Sequence, residues 1–135
     1  MSEVPADVRK LLNSGQIAAI NLVESLVVDH WVLAKAVLPK LGLKGALPEI
    51  ERRFALMQRV TIMPAIREVA AAVVGHVGNG KACQQVAKQL LEQPSDGVRC
   101  WGAYVVGYAP GLSQRTRLTN IRPFAADEHY GVREV

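Results

Sequence analysis

The chain has 135 residues, half of them apolar and a fifth charged, which suits one folded domain and excludes a disordered polyelectrolyte. Sixteen Lys and Arg against twelve Asp and Glu leave a net charge of +4, a surplus that permits an acidic partner without requiring one. The start MSEVPADVRKLLNSG lacks the basic, apolar and small-residue succession of an export signal, and the longest uncharged window, Cys100 to Gln114, is too short and glycine-rich to span a bilayer. A cytoplasmic protein with no membrane segment is expected.

Apolar residues recur at helical spacing almost throughout, with no sustained strict alternation, so the chain is expected to be all-α. A short helix follows Pro5 and stops at Gly15. A second starts near Gln16, with Ile20, Val23 and Val27 on one stripe. Asp29 caps a third, which carries Trp31, Ala34, Leu38 and Leu41, is bent by Pro39 and ends at Gly42. Pro48 opens a fourth, where Glu49 and Glu51 favour the positive end of the helix dipole and Ile50, Phe54 and Met57 face inward. Pro64 starts a fifth with Ile66, Val69, Val73 and Val77 on its core side, and Gly78-Asn79-Gly80 is a turn. A sixth, from about Lys81 to Gln93, buries Cys83, Val86 and Leu90. Ser95 or Asp96 caps a seventh bearing Val98, Trp101, Val105 and Tyr108, and Ser113 caps an eighth bearing Leu118, Ile121 and Ala125.

Three segments share a signature: Ile66-Arg67-Glu68-Val69, Val98-Arg99-Cys100-Trp101 and Val132-Arg133-Glu134-Val135, with arginines 32 and 34 positions apart. Asp96 precedes Arg99 and Asp127 precedes Arg133. An acid at a helix start offsets the dipole, and an arginine one turn later can reach the neighbouring repeat's acid, which would tie stacked helix pairs together. A chance register in an irregular helical bundle is the competing reading.

The segment Ser95-Asp96-Gly97-Val98-Arg99-Cys100-Trp101-Gly102-Ala103-Tyr104, and Ile121-Arg122-Pro123-Phe124-Ala125-Ala126-Asp127 followed by Gly131-Val132-Arg133-Glu134, resemble the bacterial DNA alkylation repair family. Asn21-Leu22-Val23-Glu24-Ser25-Leu26 with Val28-Asp29 resembles it more weakly. The resemblance implies a right-handed α-α superhelix of HEAT-like repeats over residues 1–135, its final repeat truncated at the C-terminus, and a concave basic surface that holds duplex DNA by its backbone. In catalytic members an aspartate and tryptophans promote loss of an alkylated base. Those residues do not carry over, since the chain has no Trp-Asp pair, and the expectation is binding without catalysis.

From Arg99 to Pro123 the chain has four arginines and no acid. Arg99 and Arg122 read as structural, whereas Arg115 and Arg117, just after the Ser113 cap, and Lys81, just after a glycine turn, are the candidate phosphate contacts. A solvated face with salt bridges is the plainer account of the same residues. Asp29-His30-Trp31 could place a carboxylate beside a stacking indole, as a glycosylase needs, but an N-cap followed by a core tryptophan accounts for it more simply. Cys83 and Cys100 read as buried reduced thiols, and the scattered His30, His76 and His129 give no metal site; no cofactor is expected. The alternatives are a protein-interaction scaffold and a DNA glycosylase. An uncovered C-terminal repeat further implies a homodimer.

Overall fold

The computed structural model describes residues 4–133. Its helices are α1 (Ala6–Asn13), α2 (Leu22–Leu26), α3 (His30–Val37), α4 (Leu47–Ala55), α5 (Ile62–Val77), α6 (Gly80–Leu91), α7 (Asp96–Tyr108), α8 (Gln114–Ala125) and α9 (Tyr130–Arg133), with 3-10 turns at Leu38–Leu41 and Lys44–Ala46. Among the described residues there is no strand, and no helix is long and apolar enough to cross a membrane. Glu134 and Val135, which close the third signature, and Met1, Ser2 and Glu3 lie outside the described residues.

Local chemistry sets most boundaries. Asp29 Oδ1 accepts the backbone N–H of Trp31 and Val32, and Asn79, Ser95 and Ser113 cap α6, α7 and α8 in the same way. Pro39 turns the end of α3 into a 3-10 turn, which Gly42 closes at φ +74°. At the start of α4, Glu49 sits between Arg52 and Arg53, and its hydrogen bond to Arg52 holds the carboxyl down to about 2. Arg53 then spans to Glu68 on α5 at 2.7 Å, and Gly45, before α4, packs on His76 near the end of α5, so α4 runs antiparallel to α5.

Odd-numbered helices follow one another in a row, α1 against α3, α3 against α5, α5 against α7 and α7 against α9. Even-numbered helices pack on the sides of that row, α4 on α5, α6 and α8 on α7. The core runs along it, with Leu33, Val37, Val69, Val73, Val98, Trp101 and Val105 buried. Dense packing explains Gly102: a Cβ there would lie 2.8 Å from the Phe124 ring and 3.1 Å from Leu90.

Three expectations are corrected. Residues 16–20 are not helical. Asn21 caps a much shorter α2, and Ile20, placed on an inward stripe, is 80% exposed. The segment is instead held across the molecule, because Asp96 Oδ1 accepts the N–H of Ala19 at 2.9 Å and His129 Nε2 lies 2.6 Å from its carbonyl. Leu118 and Ala125 of α8 face outward and Phe124 faces in, since the space above Gly102 takes the larger ring. Tyr108, expected on the apolar stripe of α7, is exposed.

Candidate functional site

Lys81 and Arg115 lie near the starts of α6 and α8, and the structure brings those starts together. Gly80 packs against the carbonyl of Pro110 and the side chain of Leu112, where a Cβ would collide, so the N-terminus of α6 abuts the loop that leads into α8. Both basic side chains are exposed. Neither helix has an acid in its first turn, so their positive dipole ends reinforce the two cations.

Arg117 is at the same end but half-buried. Its Nη1 donates to the carbonyl of Gly107 at 2.6 Å and more weakly to that of Val106, satisfying the last turn of α7. One nitrogen therefore serves the fold, and a phosphate would share the guanidinium. Sequence reasoning missed Lys44. Gly45 packs against the ring of His76 in the last turn of α5, which puts the exposed Lys44 at this end too. Only the antiparallel run of α4 and α5 reveals that, and Arg53 with Glu68 was the pair that could have signalled it.

The opposite end holds Asp96, Asp127 and a polar network. Arg99 lies 3.0 Å from Asp127 Oδ2 through Nε, off the line of a good hydrogen bond, while its Nη1 donates to the carbonyls of Gln93 and Pro94 at 2.9 Å. Arg133 repeats the motif, its Nη1 donating to the carbonyls of Asp127 and Glu128. In both, the carbonyls stand six and five residues before the arginine. Of the expected tie between an arginine and a later acid, the ion pair is present at Arg99 and Asp127. Arg67 differs, lying six residues into α5 with its side chain exposed. Asp127 Oδ1 accepts the N–H of His129, whose Nδ1 accepts from Gly131, so the ring's other nitrogen donates to Ala19.

His30 and Trp101 form a buried pair, the indole N–H donating to His30 Nδ1 at 3.0 Å. Burial pushes the imidazole down to about 4 against the opposing pull of Asp96 and Asp29. The neutral ring is a hydrogen-bond acceptor fixed in the core. Asp29 is an N-cap, and Trp31 packs edge-on to Phe54 with Lys35 Nζ 5.0 Å from its ring centre. The trio thus has structural partners for each member.

A cleft of about 890 Å³ opens between the start of α3, the end of α4 and the start of α5. Leu26, Trp31, Phe54, Val60 and Met63 line it, with Asp29, Glu51 and Arg59 among the polar residues. Both cysteines are free and buried, and burial raises their thiols, Cys100 to about 12, which makes poor nucleophiles of them. Among the described residues no three His, Cys, Asp or Glu side chains converge as metal ligands would. No protein family, curated protein or solved structure matches the chain.

Proposed function

We propose that the chain is a small HEAT-like protein, its helix pairs stacked as a right-handed superhelix, which binds nucleic acid by its phosphates and excises no base. The row of odd-numbered helices and the recurring arginine contacts at Arg99 and Arg133 support the repeat reading. The observation that carries the binding reading is the convergence of Lys81 and Arg115 with two helix N-termini at one end, with Arg117 and Lys44 beside them. The resemblance to DNA alkylation repair proteins agrees with such a grip. Asp29 and Trp31, the pair the glycosylase reading would use, serve as an N-cap and as the packing partner of Phe54.

Anisotropy titration of labelled DNA, from about 50 to 200 mM salt, should show affinity falling steeply, because the counterions that binding releases gain less entropy at higher salt. Replacing Lys81 and Arg115 by Gln should lower the log-log salt slope by about 2, at about 0.9 per lost contact on duplex. Arg122→Gln, in the distal half of α8, serves as the comparison and should leave the slope unchanged. Affinity that ignores salt, or a double variant indistinguishable from the parent, rejects the reading.

A protein-interaction scaffold is the second reading, favoured by the apolar cleft at the other end of the stack. Self-association belongs to it: sedimentation should show mass rising with concentration, and a monomer at every concentration would remove the homodimer.

A further inference from the structure

The basic end carries an aromatic pair that phosphate contacts leave unused. Tyr104 and Tyr108 stand one turn apart on α7, their ring centres 5.8 Å apart and their planes inclined by 36°. Tyr104 is half-buried and packs against the core, whereas Tyr108, the last residue of the helix, is 41% exposed. The residue before it, Gly107, has no side chain to shield the ring, and its carbonyl is the one that holds the Arg117 guanidinium. Contact with a second ring restricts the exposed one, so less ordering entropy is lost when a ligand arrives. Arg117 is held at the last turn that carries this ring, and the starts of α6 and α8, with Lys81 and Arg115, lie at the same end of the helices.

That combination suits one form of nucleic acid. A base inside a duplex has both faces covered by its neighbours, while an unpaired base offers a free face that an aromatic side chain can cover. Resting on the phosphate-binding reading, we infer that this end takes single-stranded nucleic acid in preference to duplex, with Tyr108 as the platform for one base and Lys81 and Arg115 on neighbouring phosphates. Tyr104 acts as a positioning residue behind the platform. Base identity has little influence, because every base has a face to stack.

The test compares a fluorescein-labelled mixed-sequence 20-mer single strand with its duplex, titrated against the full chain at low salt. The parent protein should bind the single strand roughly fivefold more tightly or better. Tyr108→Ala should weaken single-strand binding about tenfold and leave duplex binding unchanged, whereas Tyr108→Phe, which keeps the ring, should match the parent. An alanine variant that binds the single strand as the parent does, or a parent that prefers duplex, overturns the inference. If both nucleic acids bind equally and only the Lys81 and Arg115 changes weaken them, stacking falls and phosphate binding stands. If neither is bound at low salt, both readings fall together.

Discussion

Arg99→Ala is expected to cost about 3–5 kcal/mol of folding stability, the range for removing one partner of a buried ion pair. Both side chains are largely out of solvent, Arg99 at 15% and Asp127 at 9% exposure, so water replaces the lost contact only in part. The loss extends beyond the ion pair, because Arg99 also satisfies the carbonyls of Gln93 and Pro94 in the turn between α6 and α7. Asp127→Ala removes the carboxylate and its bond from the His129 N–H but leaves those two carbonyls served, so it should cost less. Urea unfolding of both single variants and the double variant gives the coupling directly. The double variant should be more stable than the sum of the single losses predicts, by at least about 1 kcal/mol. Strict additivity would mean that the arginine acts only on its own turn and does not join α7 to the segment after α8.

The features legible in the sequence are those that a few adjacent residues decide. Asp29, Ser95 and Ser113 each place an oxygen where the next turn's N–H groups need one, and Pro39 with Gly42 ends a helix whatever surrounds it. Arg99 and Asp127 were legible for another reason, since the spacing around Arg99 recurs at Arg133 and both arginines take the carbonyls six and five residues before them. The missed features depend on partners far away in the chain. Residues 16–20 have helical periodicity, yet Asp96 and His129, 77 and 110 positions beyond Ala19, hold its peptide groups in a different conformation. The inward face of α8 turns on the empty volume above Gly102, which admits Phe124 and displaces Leu118. At the basic end, Lys81 and Arg115 could be picked out from their helix starts. The carbonyls that take Arg117 and the packing that brings Lys44 into place could not, because each depends on the direction of a neighbouring helix.

Stability is expected to fall between about pH 6.5 and 4 through His30. The buried ring titrates near 4 in the folded chain, against an ordinary value of 6.5. Above pH 6.5 both states hold it neutral and its contribution is complete. Between the two values the unfolded chain binds a proton that the folded chain refuses, so stability declines by about 1.4 kcal/mol per pH unit, to a total of about 3 kcal/mol. Below about 4 this decline ends. The structural cause is specific: Nδ1 must stay unprotonated to accept the Trp101 N–H, and His30 stands in the first turn of α3, where the dipole disfavours a cation. Asp96 and Asp29 pull the other way and are outweighed by burial. His30→Asn offers an amide oxygen near the Nδ1 position without a titrating ring. That variant should lose some stability at neutral pH and most of the decline between pH 6.5 and 4.5, whatever His76, His129 and the carboxylates contribute to both proteins. Parallel pH profiles for parent and variant would show that the folded core takes up the proton as readily as the unfolded chain, the indole N–H giving up Nδ1, and would reject the expectation.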